Sequence, residues 1–425
     1  MEAISHTCTK YILLTDQIIK NLMANAKKIL FINTLCVPHI GGGAEIILQI
    51  QAKALQDRGF DVAVLATGPE RGIKSEIVDG VKVYRVGLSN IYWPYAKKDA
   101  NAILRLAWHL FDRYNRRMRR HAKNVMELEK PDFVFCHNLL GWSISVWDAF
   151  KSVKIPFIQV LHDQYLLCPK TTMFKNDKVC ETQCVDCKLL RLRHKSASKN
   201  VTAVVGVSAF ILNKFEIAGY FKNSVKVTIH NAIVLDQQQR LKVEKRPTFQ
   251  FGFIGKLGEF KGIEWLIEQF KSLDINATLI IAGKGKPDYE EHLKKIANDT
   301  RIIFLGYVKP EDFYSKIDVC VVPSKWQDTF PGVAIESCAY GKPVIASNSG
   351  GLPEIIKNNK NGLICDIADP SSLGRSMKQI FEDEPLLNDM KINARKAVTK
   401  LLDVDRMINE YISLMNQLSE TTTHY

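Results

Sequence analysis

Four segments that follow one another from Lys27 restrict the fold more than any other feature. They are the apolar run KKILFIN, the glycine turn Gly41–Gly43, the segment AEIILQIQAKALQDRG with apolar residues at helical spacing, and the apolar run DVAVLAT. Short apolar runs are typical of buried strands, and the 3.6-residue period indicates an amphipathic helix. Strand, glycine loop, helix and strand in this order predict the start of a parallel, doubly wound α/β sheet.

The same alternation begins again in the second half, with the apolar runs FQFGFIGKL, ATLIIAG, RIIFLG, DVCVVPS and KPVIAS. The polar and basic stretch from Asp236 to Thr248 separates the two series and predicts an interdomain linker. A chain of 425 residues also suits about two domains of roughly 200 residues each. We therefore expect an N-terminal extension (1–26), a first α/β domain (27–240), a second α/β domain (241–404) and a helix that returns to the first domain (405–425).

Composition and charge restrict the class of protein. A hydrophobic content of 46% and a charged content of 24% are typical of a soluble globular enzyme. No stretch approaches the roughly 18 to 20 apolar residues that span a bilayer, and residues 1–28 lack the pattern of a secretory signal, so a cytoplasmic enzyme is expected. The net charge of +13 indicates an anionic partner: phosphate groups, acidic lipid or nucleic acid.

Glycine-bearing loops follow three of the predicted strands. They are Gly41–Gly43, the segment GKLGEFKG with Gly255, Lys256 and Lys261, and the segment SGG that ends at Gly351. Ligands of open α/β sheets bind at the carboxyl ends of strands, where glycine lets the backbone approach a phosphate and lysine supplies positive charge. None of the three is a GxGxxG or P-loop motif, so each alone is weak evidence.

The most specific segment is PSKWQDTFPGVAIESCAYGKPVIASNSGGLPEII. Glu336 lies in a predicted short helix, and the N–H groups of Gly332, Val333 and Ala334 at its start would face an anion. Glu336 can accept hydrogen bonds from ribose hydroxyls, and Asp328, in the loop before the helix, can hold a hexose or act only as an N-cap. The segment therefore predicts a site for all three parts of a nucleotide-sugar.

On these residues the chain resembles glycosyltransferase family 4, of the GT-B fold, from about Lys27 to Met415. The matching positions are the acidic pair Asp328 and Glu336, the basic pair Lys256 and Lys261, the turn Gly42, Gly43 and Glu45, His162, and the segment Gly350, Gly351, Pro353 and Glu354. Asp328 stands where the family usually has Glu, and Lys256 where it usually has Arg. Aspartate shortens the reach toward the sugar, and lysine loses the bidentate geometry toward phosphate.

The resemblance implies two Rossmann-like domains that face each other across a cleft. It implies retaining, metal-independent transfer of a sugar from a nucleotide-diphosphate-sugar to a saccharide or lipid-linked acceptor, in the assembly of a surface polysaccharide or glycolipid. No cofactor is expected for catalysis. The implied site consists of catalytic residues Lys256, Lys261, Asp328 and His162, donor contacts Gly43, Gly255, Gly332, Val333, Ala334 and Glu336, and acceptor contacts His137 and Gly42.

Two further clusters carry hypotheses of their own. Cys168, Cys180, Cys184 and Cys187 suit a tetrahedral structural zinc, although reduced thiols or a disulfide are the alternatives. Residues 102–128 combine apolar side chains at helical spacing with seven arginines and lysines, which predicts a basic amphipathic helix. Such a helix can lie on an anionic membrane, at the inner face of the cell membrane, or can be an ordinary solvated helix.

Three other functions remain as alternatives. A nicotinamide-dependent oxidoreductase would also use doubly wound sheets, but the chain lacks GxGxxG in the first turn and an acidic residue after DVAVLATG. A nucleic-acid-binding protein would show aromatic stacking platforms or a known module, so no nucleic acid is expected as partner. A sugar-nucleotide epimerase or a phosphorylase on the same fold is not excluded by any of these residues.

Overall fold

A computed structural model describes residues 27–95, 100–235 and 248–422. The predicted N-terminal extension and most of the predicted linker therefore lie outside the described residues. The described chain forms two α/β units, each built on its own mainly parallel sheet, and this confirms the predicted fold class. No helix in these three ranges is long and apolar enough to cross a membrane.

The first sheet has eight strands in the order β10-β9-β6-β5-β1-β2-β4-β3. In chain order its strands are β1 (Lys28–Asn33), β2 (Asp61–Gly68), β3 (Ile73–Val78), β4 (Val81–Gly87), β5 (Phe133–Cys136), β6 (Phe157–Leu161), β9 (Ala203–Gly206) and β10 (Val225–Thr228). A small hairpin of β7 (Phe174–Lys175) and β8 (Lys178–Val179) lies outside the sheet. All neighbours pair parallel except β3 and β4, which form an antiparallel edge.

Helices alternate with these strands along the chain. They are α1 (Gly43–Gln56), α2 (Ala102–Asp112), α3 (Arg116–Glu129), α4 (Ser145–Ser152), α5 (Val185–Leu190), α6 (His194–Ala197) and α7 (Ala209–Ile217). The apolar sequence of the central strand β1 matches its buried position. Ile29 and Leu30 are fully buried between the neighbouring layers, as expected for a strand covered on both faces.

The second sheet has six strands, all parallel, in the order β13-β12-β11-β14-β15-β16. They are β11 (Phe249–Ile254), β12 (Ala277–Ala282), β13 (Ile302–Gly306), β14 (Val319–Val322), β15 (Val344–Ser347) and β16 (Gly362–Cys365). Their helices are α8 (Ile263–Lys271), α9 (Pro287–Ala297), α10 (Pro310–Tyr314), α11 (Gly332–Ala339), α12 (Leu352–Ile355), α13 (Ser372–Glu382) and α14 (Glu384–Val398). The described residues also include short 3₁₀ turns at Ser198–Asn200, Glu259–Lys261 and Thr399–Leu402.

The last helix, α15 (Val404–Thr422), packs on the first sheet. The ring of Tyr411 lies edge-on to Phe135 of β5 with centroids 5.7 Å apart, and Gln51 of α1 contacts the Met407 sulfur at 3.9 Å. Both Met407 and Tyr411 are buried. The chain therefore passes from the second sheet back to the first, and this joins the two units at a point distant in sequence from the linker.

The expectation of one amphipathic helix over 102–128 is wrong, because the chain turns between α2 and α3. Asn115 caps α3, and its side-chain oxygen accepts hydrogen bonds from the N–H groups of Arg117 and Met118. Asn is a residue type that favours the N-cap position, so the segment DRYNRR indicates a helix start at this point. Met118, Ala122 and Val125 of α3 are buried in the core, whereas most of the exposed apolar side chains of this segment belong to α2.

Candidate active site

Two histidines meet at the carboxyl edge of the first sheet. His137 follows β5 and His162 follows β6, and these strands are parallel neighbours. Parallel neighbours end at the same edge, so Nδ1 of His137 lies 2.7 Å from Nε2 of His162, with the rings stacked at 4.9 Å. One nitrogen must donate and the other accept, so at least one ring of the pair is neutral.

Burial also controls the charge of this pair. Desolvation lowers the pKa of His162 to about 4 and that of His137 well below its usual range, with the neighbouring His162 a further cause for His137. Both imidazoles are therefore neutral near pH 7. Nε2 of His137 is buried without a hydrogen-bond partner among the described residues. A buried nitrogen of this kind suits contact with a polar ligand.

The glycine turn after β1 leaves room beside the histidine edge. A side chain built on Gly42 or Gly43 would meet nothing within 4 Å, so the start of α1 faces open space. The Glu45 carboxylate accepts a hydrogen bond of 2.9 Å from the Gly42 N–H, and burial raises its pKa. Glu45, which matches the family pattern, thus stabilises the conformation of the glycine turn.

In the second unit, Lys261 and Asp328 form an ion pair. Nζ of Lys261 lies 2.9 Å from Oδ2 of Asp328 and 5.2 Å from the centre of the Trp326 ring. Both side chains of the pair are largely buried. Lys256, in the same glycine-bearing loop as Lys261, is exposed, and no carboxylate pairs with it in the described part of the chain. Within the described residues, the loop after β11 therefore presents one paired and one unpaired ammonium group.

Close backbone packing fixes the loop that carries Asp328. Gly350 has a φ of 59°, and a Cβ on it would lie 2.1 Å from the Asp328 carbonyl oxygen. A Cβ on Gly351 would lie 2.2 Å from the Thr329 carbonyl oxygen, and the Gly351 N–H donates to the Asp328 carbonyl at 2.8 Å. Only glycine fits at these two positions, which explains the Gly-Gly pair in structural terms.

The start of α11 differs from the prediction in one detail. The N–H of Ala334 donates to the Pro331 carbonyl at 3.2 Å, so it is not free for an anion. The N–H groups of Gly332 and Val333 have no partner within the described ranges. Glu336 lies one turn further, where burial raises its pKa and the Tyr314 hydroxyl lies 3.5 Å from its carboxylate. Three of the predicted donor contacts, Gly332, Val333 and Glu336, thus lie in the first turns of α11, whereas Gly43 lies at the start of α1 and Gly255 after β11.

Contacts between the units bring the two sets of residues together. The Thr329 hydroxyl donates to the His162 carbonyl at 2.7 Å, and the Ser208 hydroxyl donates to the Thr329 carbonyl at 2.6 Å. Thr329 directly follows Asp328, so the acidic loop of the second unit lies against the histidine edge of the first. The loop that carries Asp328 therefore lies against the strand edge that carries His162, at the junction of the two units.

Glu354 has an interdomain role that sequence reasoning did not identify. Its carboxylate accepts from the N–H groups of Ala209 and Phe210 at the start of α7, and it lies 3.0 Å from Nε2 of His230. Burial opposes ionisation, but the bonds from His230, Phe210 and Ala209 lower the pKa of this carboxyl group. In the sequence, His230 follows the strand-like run VKVTI, just as His162 follows an apolar run. This position indicates that both histidines lie at the same edge of the sheet.

The four cysteines lie close together in the segment between β6 and α6, with Cys184 as the N-cap of α5 and Cys187 inside this helix. The Cys187 thiol contacts the thiols of Cys168 and Cys184, and all four are free. The hydrogen bond from Cys187, together with smaller contributions from backbone N–H groups and Arg191, lowers the pKa of Cys168 to about 6. Among residues 27–95, 100–235 and 248–422, no three His, Cys, Asp or Glu side chains stand in a metal-binding arrangement. The zinc site thus stays a prediction.

Comparison with known families and proteins decides the identity. Residues 42–231 match the model of the glycosyl transferase 4-like domain, and residues 236–397 match that of glycosyl transferases group 1. An uncharacterised 42.6 kDa protein in the cps region of Klebsiella pneumoniae is 33% identical over 362 residues, which cover 83% of this chain and 95% of that protein. The chain belongs to the family 4 glycosyltransferases.

Solved structures show the same fold for this glycosyltransferase. Sucrose-phosphate synthase from Thermosynechococcus elongatus superposes with a TM-score of 0.74 at 18% identity, over 93% of this chain and 100% of that one. HepE of Anabaena, in complex with UDP and glucose, gives a TM-score of 0.66 at 19% identity, over 92% and 100% of the two chains. A more distant relative in sequence is the capsular polysaccharide biosynthesis glycosyltransferase CapM of Staphylococcus aureus, 25% identical over 54% of this chain and 65% of that protein.

Proposed function

We propose that this glycosyltransferase moves a sugar, with retention of configuration and without a catalytic metal, from a nucleotide-diphosphate-sugar to a lipid-linked acceptor. The observation that carries the proposal is that Asp328 pairs with Lys261 while the next residue, Thr329, donates a hydrogen bond to the His162 carbonyl of the first unit. The UDP and glucose in the HepE structure support a donor of this class.

The donor site uses charge and hydrogen bonding in three places. Glu336 accepts hydrogen bonds from the ribose hydroxyls, and the free N–H groups of Gly332 and Val333 face the diphosphate. Asp328 accepts from hydroxyls of the transferred sugar while Lys261 moves its charge toward the leaving phosphate. Gly43 and Gly255 let the backbone approach the donor closely. The two lysines and the helix start supply the positive charge that a metal ion would otherwise supply.

In the reaction, the bond between the anomeric carbon and the phosphate oxygen breaks, and its electron pair leaves with the diphosphate. An acceptor hydroxyl oxygen forms the new bond on the same face, and its proton passes to the departing phosphate oxygen. Lys256 and Lys261 stabilise the charge that develops on the diphosphate. The His137–His162 pair is too weakly basic to take the proton, so we assign it to contact with the sugar and the acceptor.

The pathway and the location are part of the proposal. The cps-region relative and CapM support a role in the assembly of a surface polysaccharide or glycolipid. The exposed apolar side chains of α2 and the arginines around them support attachment to the inner face of the cell membrane, where lipid-linked acceptors are found.

The test is thermal stability of the purified chain with UDP-, GDP-, ADP- and dTDP-sugars, and with NAD as a negative control. A ligand at about 100 times its Kd should add roughly 2.7 kcal/mol of stability. We expect one nucleotide class to stabilise the protein, and Glu336→Ala to abolish the effect. Glu382→Ala, which removes an exposed carboxylate from α13, is the matched control. If no nucleotide-sugar stabilises the protein, or if Glu336→Ala responds like wild type, the donor site is wrong.

The reaction products distinguish sugar transfer from the activities of an epimerase and of a phosphorylase. With the stabilising nucleotide-sugar and a lipid-linked acceptor, transfer gives a glycosylated lipid whose new linkage keeps the donor's anomeric configuration, and chelation by EDTA leaves the rate unchanged. Release of an epimerised nucleotide-sugar in the absence of acceptor would instead identify an epimerase. Phosphate-dependent release of a sugar phosphate would identify a phosphorylase.

A further inference from the structure

A cavity of about 340 Å³ opens at the turn between α2 and α3, on the first unit and outside the interdomain contacts described above. Its lining consists of Arg113, Tyr114, Arg116, Ile144, Leu192 and Arg193. Half of these residues are arginines, which come from two chain segments about 80 positions apart. Such convergence of like charges in one concavity creates a positive potential that attracts an anion.

No carboxylate of the described chain neutralises these arginines. Arg113, Arg116 and Arg193 form no ion pair within residues 27–95, 100–235 and 248–422. The nearby Asp112 is fully buried and accepts from the Tyr165 hydroxyl at 2.7 Å and from the Gly141 N–H at 2.7 Å. Asp112 is therefore satisfied by other groups, and Asp148 accepts a hydrogen bond from the Tyr114 hydroxyl of the lining. Neither carboxylate forms an ion pair with the three arginines.

The backbone on both sides of the cavity is held by local hydrogen bonds. The Arg113 N–H donates to the His109 carbonyl at 3.0 Å, and the Asn115 cap fixes the first turn of α3, where Arg116 lies. The Arg193 carbonyl accepts from the Ala197 N–H at 2.8 Å and the Ser196 hydroxyl at 2.9 Å. The backbone that carries the three arginines is therefore held in place before a ligand binds.

Exposed apolar side chains lie on the helices that lead to the cavity. On α2, Phe111 is 60% exposed and Ile103 is 79% exposed; on α5 and just after it, Leu189 is 58% and Leu192 is 53% exposed. Leu192 itself lines the cavity beside Arg193. A ligand with an anionic head and a hydrocarbon body matches this combination better than a free anion or a soluble peptide does.

We propose that the cavity binds the phosphate headgroup of a membrane lipid, with a preference for a phosphate monoester, while the exposed side chains of α2 and α5 enter the bilayer beside it. A monoester has three free oxygens and carries more charge than a phosphodiester, so it satisfies several guanidinium forks at once. This inference rests on the membrane attachment in the proposed function, and it turns a general basic surface into a site with a chemical preference.

The experiment measures binding of the full-length protein to two kinds of vesicle with equal surface charge. Both contain phosphatidylcholine, and the anionic component is phosphatidic acid in one and phosphatidylglycerol in the other. Wild type should bind the phosphatidic acid vesicles roughly tenfold more tightly, the effect of about one additional charge-assisted hydrogen bond. Arg113→Gln/Arg193→Gln should bind the two vesicles equally.

The matched control is Arg117→Gln/Arg120→Gln, which removes the same charge from α3 at positions that do not line the cavity. It should bind both vesicles more weakly by the same factor and keep the preference. The idea is overturned if wild type shows no preference, or if the control loses the preference to the same extent as the cavity variant. Unchanged thermal midpoints of both variants show that they fold.

Two further measurements separate this inference from the proposed function. Stabilisation by the nucleotide-sugar should be the same in the cavity variant and in wild type, because the cavity is not part of the donor site. If the cavity variant keeps its vesicle preference but loses transfer to a lipid-linked acceptor in detergent, the cavity holds the acceptor, and the assignment to a membrane lipid is wrong. If wild type binds no nucleotide-sugar, the proposed function is refuted, but the vesicle result can still be interpreted.

Discussion

Nζ of Lys261 lies 2.9 Å from Oδ2 of Asp328, and this ion pair joins the loop after β11 to the loop that precedes α11. The two residues are 67 positions apart, and each belongs to a different element of the family pattern. The pair holds the Lys261 ammonium group in place, and in the proposed function this charge faces the donor phosphates. It also shows that Asp328 has a structural partner in addition to its proposed contact with the sugar.

Lys261→Ala should lower kcat/KM by roughly 100-fold or more, because it removes a charge from the place where the diphosphate charge develops. Lys378→Ala, on the outer helix α13, should leave the rate unchanged. Steady-state kinetics with the stabilising nucleotide-sugar measures both. Near-wild-type activity of Lys261→Ala would remove this residue from the catalytic group.

Gly350→Ala should abolish donor binding and lower the thermal midpoint, since the new Cβ would lie 2.1 Å from the Asp328 carbonyl oxygen. Gly306→Ala is the matched control: Gly306 has a φ of 69°, close to the 59° of Gly350, but a Cβ there meets nothing within 4 Å. The control should cost only about 1 kcal/mol of unfolding free energy. Equal effects of the two substitutions would mean that backbone conformation, and not the close approach to Asp328, explains the glycine.

Glu354→Gln should destabilise the closed arrangement of the two units by about 2 kcal/mol, because it removes the charge from an acceptor of three hydrogen bonds. The lowered pKa of Glu354 means that its contribution is present above its ordinary value of 4.5 and is lost as the pH falls through the folded-state value. Thermal unfolding at neutral and acidic pH measures this, with Glu382→Gln as the control. A variant as stable as wild type at neutral pH would contradict the interdomain role.

Thermal stability should fall as the pH decreases from 6.5 toward 4. The folded-state pKa of His162 is lowered from 6.5 to about 4 and that of His137 lies well below 6.5, so the unfolded chain binds more protons in this window. His162→Gln should make the fall shallower, whereas His292→Gln, at an exposed position on α9, should not. An unchanged slope in His162→Gln would show that the histidine pair does not resist protonation.

The four-cysteine zinc site is tested by metal analysis of the purified full-length protein. If zinc is bound, it should be stoichiometric, and Cys187→Ser should lose it because this thiol contacts two of the other three. Cys36→Ala, at a buried cysteine outside the cluster, should retain it. A protein without zinc, in which all four thiols react freely in the native state, would rule the site out.

The sequence alone determined the fold class, because hydrophobic period and glycine position are local properties of the chain. The run KKILFIN with its glycine turn predicted β1 and α1, and the spacing of Asp328 and Glu336 placed one residue before α11 and the other inside it. The resemblance to family 4 followed from the same positions, and the comparisons confirmed it.

Only the tertiary structure decided which residues meet. The His137–His162 contact and the Glu354 bonds to α7 depend on strand order and on how the two units pack, and neither is encoded in local spacing. Tertiary packing also decides which apolar residues of segment 102–128 are exposed. Met118 and Ala122 are buried in the core and cannot contact a membrane, whereas Phe111 is exposed. Hydrophobic periodicity predicts that a helix has an apolar face, but long-range packing decides whether the core or another partner covers it.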